Sequence, residues 1–212
     1  MSKQKVIKFK CNNCGADVEF VSYTSINARN DANLKEKFLN DTLYSVTCEN
    51  CNAKLKTIYP LLYHDPDKKF MVYGVHPDSL YKIINSFDIM KQDYPDAYDG
   101  YTLRVCASPS DMREKVIILN ADLDDRVMEL YKALDVNAIN ALDENANATR
   151  GYFFVEDGKN IIEYNSTYYI SKELSADNYD VIKSVFSKDI EEAKDNYIVD
   201  LDWANEVVSK GL

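Results

Sequence analysis

An α+β fold that begins with a zinc-ribbon-like β-hairpin module carrying a helical insertion is what this chain predicts, on three observations. Two Cys-x-x-Cys pairs, Cys11-Asn12-Asn13-Cys14 and Cys48-Glu49-Asn50-Cys51, lie in the first quarter of its 212 residues. Each pair is flanked by apolar/polar alternation, the period of a strand. The rest of the chain mixes short alternating runs with stretches of helical spacing, so strands and helices share one mixed region.

Residues 5–10 and 17–24 alternate around the first pair, and 43–48 and 54–62 around the second, so each pair reads as the turn of a β-hairpin. Gly15 after Cys14 supplies the positive φ such a turn wants, and Asn52 after Cys51 is the next best residue for it. Between the hairpins, 31–40 starts on the capping residue Asp31 and sets Leu34 and Phe38 four apart, which predicts a short amphipathic helix. That insertion accounts for a spacing longer than the ~15–20 residues between the pairs of a simple ribbon.

A strand follows at Lys69–Val75, then a helix from Pro77 to about Phe87, an exposed loop over 88–100, and a strand at Tyr101–Ala107. Ser108-Pro109-Ser110-Asp111 gives an N-cap, a proline at the first helical position and an acid in the first turn. Met112–Leu119 and then Leu123, Val127, Leu130, Tyr131 and Leu134 make one apolar stripe at helical spacing, with Asp122, Asp124 and Asp125 in the first turn of a core helix. Residues 137–149 read as an Asn-rich loop, Gly151–Glu156 and Asn160–Tyr164 as a hairpin around Asp157-Gly158, and 177–187 and 200–210 as closing helices. The expected organisation is a metal module over 1–76 and an acidic α+β region over 77–212, packed with it or separate.

Composition narrows the function classes. With 46% hydrophobic and 28% charged residues the chain can bury a core and is not a disordered tail. The net charge is −10, but residues 1–70 hold eleven Lys/Arg against eight Asp/Glu, while 71–212 hold fourteen against twenty-seven. An acidic C-terminal part repels phosphate backbones and weighs against nucleic acid as partner. The N-terminus alternates lysine with apolar residues and has no apolar h-region, and no run reaches the ~18 apolar residues of a membrane span. A cytoplasmic address follows, where paired cysteines point to metal or redox chemistry before disulfides.

Cys11, Cys14, Cys48 and Cys51 are the candidate metal ligands. Zinc takes four thiolates in a closed tetrahedron at roughly 2.3 Å, with no position for substrate, so the expected cofactor is structural zinc. A redox pair would open a helix, whereas these lie between strand-like segments. The tetrathiolate carries net negative charge, for which Lys10, Lys54 and Lys56 are the nearby cations. Cys106, in an apolar strand, reads as a buried small hydrophobe.

Few residues are left for catalysis. The alternative of a hydrolytic or metal-assisted enzyme rests on the turn holding His64, Asp65 and Asp67, with His76 a weaker candidate. No phosphate loop, nucleophile elbow or His-Glu-x-x-His helix is present. A third reading puts nucleic acid on Lys3, Lys5, Lys8 and Lys10. Sixteen tyrosines, several of them over 59–101, suit half-buried strands or an aromatic surface for an unidentified protein partner.

From Cys11 to Tyr73 the chain resembles the CpXC family of bacterial and archaeal proteins, in Ser25-Ile26-Asn27-Ala28, in Leu43-Tyr44-Ser45-Val46-Thr47-Cys48 and in Tyr59-Pro60-Leu61-Leu62-Tyr63-His64-Asp65. The resemblance continues through Arg104-Val105, Glu114-Lys115 and Leu123–Leu130. The family is named for Cys-Pro-x-Cys pairs, and Asn12 and Glu49 stand here where the prolines would be. It implies a bacterial zinc-binding protein with the four cysteines as ligands and carries over no catalytic residue. The function this leaves first is a protein-binding or adaptor module.

Overall fold

A computed structural model describes residues 3–211. Its contacts divide the chain into two compact units, Met1–Arg113 and Glu114–Leu212. The division by contacts falls after Arg113, beyond residue 76, the expected end of the metal module. The strand at 102–106 pairs in register beside Phe70–Gly74, so residues past 76 complete a sheet begun before it.

In the first unit, β1 (Gln4–Lys10) and β2 (Asp17–Tyr23) form an antiparallel hairpin, and β4 (Ser45–Thr47) and β5 (Lys54–Lys56) form a shorter one. Between them come β3 (Ser25–Asn27) and the predicted helix, α1 (Ala32–Leu39). The expected strand over 54–62 is broken: β5 stops at Lys56, and after Pro60, which has no N–H to donate to a ladder, β6 (Leu61–Asp65) joins a different sheet. That sheet has the order β3, β6, β7 (Phe70–Gly74), β8 (Thr102–Cys106), with parallel, antiparallel and parallel pairings in turn.

Its two faces are covered by different helices. Leu61, Tyr63 and Asp65 point to one face, where Phe38 of α1 meets the Tyr63 ring at 5.3 Å and Phe70 stacks on it at 5.8 Å. On the other face Phe87 of α2 (Leu80–Asp93) meets Tyr73 edge-on. Burial on both sides explains why β7 and β8 read as apolar runs without clean alternation. The helix α2 continues to Asp93, through half of the expected loop, and a 3-10 turn at Pro95–Tyr98 follows.

The helix α3 (Pro109–Asn120) starts as predicted, with the Ser108 hydroxyl accepting the Asp111 N–H at 3.1 Å. Asp122, at φ 57°, then separates it from α4 (Asp125–Leu142), whose N-cap is Asp124. In the second unit α4 is the central element. Val127, Leu130 and Ala133 pack with Ile190, Ala204, Val207 and Val208 of the C-terminal helices, while Met128 and Tyr131 pack on Phe153, Ile162 and Tyr164 of a sheet. That sheet is an antiparallel meander of β9 (Arg150–Glu156), β10 (Lys159–Asn165) and the unexpected β11 (Ile170–Glu173). Its first turn, Asp157 and Gly158, has φ of 49° and 76°, the paired positive values of a tight hairpin. The chain closes with α5 (Ala176–Val185), α6 (Ser187–Glu192) and α7 (Leu201–Gly211). No helix among the described residues is long and apolar enough to cross a membrane.

Gly151 marks a close approach in this unit: a Cβ there would sit 3.0 Å from Ile162 Cγ2 and from Tyr164 Cε1, and 3.2 Å from Lys132 Cγ. Ile162 and Tyr164 belong to the core and have no room to retreat. Gly151→Ala is expected to destabilise the unit by roughly 1–3 kcal/mol of overpacking, read as a lowered urea midpoint in the fluorescence of the single tryptophan, Trp203.

Candidate metal centre

The two cysteine pairs sit at the tips of the β1–β2 and β4–β5 hairpins and are built to one plan. In the first, the Gly15 N–H donates to the Cys11 carbonyl at 2.8 Å and the Cys11 N–H to the Ala16 carbonyl at 2.8 Å. In the second, the Asn52 N–H donates to the Cys48 carbonyl at 2.8 Å and the Cys48 N–H to the Ala53 carbonyl at 2.9 Å. Gly15 and Asn52 both take positive φ, 73° and 59°, as the turn requires. Asn12 and Glu49 thus leave the knuckle backbone intact.

Folding brings all four sulfurs within 4.8 Å of one another. Cys11 and Cys51 sulfurs are 3.7 Å apart, as are those of Cys14 and Cys48. A tetrahedron with metal–sulfur bonds of roughly 2.3 Å has edges of about 3.8 Å, which these two separations match. All five cysteines are free thiols. Cys11 and Cys48 lie at the base, 2% and 1% exposed, against Val18 with Phe9, Val46 and Leu55 around them. Cys14 faces solvent and Cys51 is half-buried. The set could hold a metal ion, and it leaves no tetrahedral position for anything else.

Local dipoles act on the exposed sulfurs. The Asn50 side-chain amide and then the Ala16 N–H hold the Cys14 thiol down to about 6, well below the ordinary thiol value. The Asn13 amide and the Ala53 N–H likewise lower Cys51. Lys10 is paired with Asp17 at 2.8 Å and Lys56 with Asp41 at 2.6 Å, so these cations are drawn to carboxylates instead. Cys106 is buried at the end of β8, as expected of a small hydrophobe.

The structure does not bring His64, Asp65 and Asp67 together. His64 and Asp65 are neighbours on β6 and so point to opposite faces of the sheet. The His64 Nε2 lies 3.3 Å from the Tyr101 hydroxyl, and burial, partly offset by Asp65, lowers its pKa. Asp65 turns inward, where its Oδ1 accepts the Asp67 and Lys68 N–H groups at 3.1 Å each and closes the β6–β7 turn. Asp67 pairs outside with Arg29 at 2.5 Å. His76 caps the following turn by accepting the Asp78 N–H. Of the lysines proposed for nucleic acid, Lys8 pairs with Glu19 at 2.5 Å and Lys10 with Asp17.

A second cluster went unread in the sequence because its residues look like a solvated helix face. Asp125, Glu129 and Lys132 recur at i, i+4 and i+7 on α4 and are buried together with Glu114 and Lys115 of α3. Lys115 Nζ donates to Glu129 Oε1 at 2.9 Å and to the Val199 carbonyl at 2.6 Å, and lies 3.2 Å from Asp125. Lys132 Nζ reaches Glu114 at 2.6 Å and Glu129 at 3.0 Å, and Glu114 also accepts the Phe153 N–H at 2.8 Å. With Arg150 at 3.4 Å from Glu114, three carboxylates face three cations. The ammonium groups and carboxylates satisfy one another and leave the core closed, so the cluster holds α3, α4 and β9 in register.

Burial alone would push the Glu129 pKa up, but the Lys115 and Lys132 charges outweigh it and hold the carboxyl below its ordinary 4.5. Burial likewise opposes the charge on Lys132, and Glu114 and Glu129 overcome it to raise Lys132 above 10.5. A carboxyl with a depressed folded pKa stabilises above its unfolded value, and that contribution is lost as pH falls through the folded one. Stability of the second unit is therefore expected to fall steadily below pH 4.5, with a shallower fall in Glu129→Gln, measured by urea unfolding at successive pH values.

Comparison with known proteins gives a family match. No curated protein and no solved structure matches the chain. The match is to the family described as CpXC protein and covers residues 9–132, which includes both knuckles and Glu114, Lys115, Asp125, Glu129 and Lys132 of α3 and α4. Spanning more than half of the chain and all four cysteines, it makes this protein a member of the CpXC family.

Proposed function

We propose that the four-cysteine centre binds zinc as a structural ion and that the protein is a cytoplasmic binding or adaptor module organised by that metal, in a zinc-ribbon-like arrangement of two hairpins. The observation that carries this reading is the donor set: four thiols within 4.8 Å of one another, two of their separations at a tetrahedral edge, enough to fill every position of a tetrahedral ion. Four sulfurs suit zinc, or iron in a redox centre, and elemental analysis separates them. Purified protein is expected to hold about one zinc per chain and to be colourless, whereas visible charge-transfer bands would mark iron.

The binding role is supported by the β1–β2 hairpin. Val6 and Val21 face each other across its outer side, 51% and 42% exposed, beside the Lys8–Glu19 and Lys10–Asp17 pairs. Neither strand has a further sheet neighbour among the described residues, so apolar contact and free ladder groups are offered together. Cross-linking in cell extract at low salt is expected to capture one partner with the native chain and to lose it with Val21→Asp, while Tyr169→Ala, on the exposed face of the second unit, retains it. Capture unaffected by Val21→Asp, or no capture at all, would contradict the binding role.

A further inference from the structure

The two knuckles read Cys-x-Asn-Cys, and the two asparagines, Asn13 and Asn50, occupy the same place in each. Both reach across. Asn13 Nδ2 donates to Cys51 Sγ of the opposite knuckle at 3.4 Å, and the Asn50 side-chain amide is the foremost influence lowering the Cys14 thiol, the matching relation from the other knuckle. The pattern is a pair: each asparagine serves the second cysteine of the other hairpin and never its own. It also falls on one side of the centre, because the first cysteines, Cys11 and Cys48, are buried at the base while Cys14 and Cys51 form the side open to solvent. A chelator or competing thiol must approach from that side.

We propose that Asn13 and Asn50 form a reciprocal amide clasp over the exposed side of the metal centre, and that this clasp sets how fast the metal is lost. The inference rests on the metal reading above and adds positioning residues that are not ligands. Two consequences follow from the geometry. An amide N–H aimed at a metal-bound thiolate withdraws charge from a sulfur whose site carries net negative charge, which makes that sulfur a poorer target for protons and for attacking chelators. Each amide also ties one hairpin tip to the other, and β1–β2 and β4–β5 belong to separate two-stranded sheets with no ladder between them. The clasp supplies a crossing that backbone pairing does not.

Of the lysines expected in this role, Lys10 is engaged with Asp17 and Lys56 with Asp41. The groups that act on the exposed sulfurs include the two amides and the Ala16 and Ala53 N–H groups. Outer partners of metal ligands typically contribute 10–100-fold to metal affinity, the scale on which a paired clasp should be felt.

The test uses the full chain loaded with zinc and, in parallel, with cobalt. Transfer of zinc to a chromophoric chelator is expected to speed up about tenfold or more in Asn13→Ala/Asn50→Ala, and further in Asn13→Asp/Asn50→Asp, which keeps the size, removes the donor and adds charge. In the cobalt form, loss of N–H donation to two of four sulfurs is expected to shift the thiolate-to-metal charge-transfer band to lower energy in both variants. Asn12→Ala, in the same knuckle but with no role in the clasp, should transfer zinc at the native rate. A native transfer rate and an unmoved band in the double alanine variant would overturn the clasp, as would an equal acceleration by Asn12→Ala, which would assign the effect to the knuckle backbone. Failure of the native chain to take up either metal would instead overturn the metal reading on which the clasp rests.

Discussion

Cys48→Ser is expected to lose the metal and unfold both hairpin tips, while the four-stranded sheet of the first unit stays folded. Cys48 is at the base of the centre, and the core around it is very small: Cys11, Val18 and Cys48 are its fully buried members. Apparent binding energies of structural zinc run to about 10–16 kcal/mol, at least as large as the ~5–15 kcal/mol that stabilises a whole domain. Of the three buried side chains only Val18 is a large aliphatic, worth about 1.5–3 kcal/mol, less than the ordering of two knuckles costs. Amide hydrogen exchange resolves the outcome by position. Protection at Gly15 and Asn52, whose N–H groups close the knuckles, should vanish in the variant, and protection along β6, β7 and β8 should persist. Cys106→Ser, a buried thiol outside the centre, should keep its metal.

Lys132→Met is expected to cost the second unit about 3–5 kcal/mol. Its side chain is 1% exposed and its ammonium lies between Glu114 and Glu129, so its removal leaves buried carboxylates facing each other with Lys115 and the partly exposed Arg150 as the remaining cations. Breaking a buried ion pair from one side is far more costly than replacing the whole set with apolar residues. Urea unfolding followed by Trp203, which packs against the α4–α7 core, reads the change. Lys159→Met serves as the comparison, since Lys159 pairs with Glu173 at the surface, with both side chains more than half exposed. It should move the midpoint little. Equal effects of the two substitutions would mean that the buried cluster contributes nothing beyond an ordinary surface pair.

Local rules made the metal end of the chain legible and failed where tertiary contacts decide. Alternation around each cysteine pair and the turn residues Gly15 and Asn52 are local signals, and both hairpins lie where they point. The Asn-rich stretch 137–149 misled for a tertiary reason: α4 runs on to Leu142, and Asn140 is used by the fold, its Oδ1 accepting the Ala148 N–H at 2.7 Å and its Nδ2 donating to the Ala148 carbonyl at 2.8 Å. Charged residues at i, i+4 and i+7 normally mark a solvated face. Here Asp125, Glu129 and Lys132 are buried because Glu114 and Lys115 on a second helix complete them, and no pattern within one helix reveals that. Asn13 and Asn50 were visible as a repeated Cys-x-Asn-Cys, but their reach across the centre follows only from how the hairpins meet.

The closed four-sulfur centre is tested most directly by zinc K-edge X-ray absorption of the purified full-length protein. The zinc proposal predicts one shell of four sulfur neighbours at roughly 2.3 Å with no oxygen or nitrogen ligand. A shell of three sulfurs with a light-atom ligand would mean an open site able to act on substrate, and protein that holds no zinc while melting at the same temperature with and without chelator would contradict a metal-organised fold altogether.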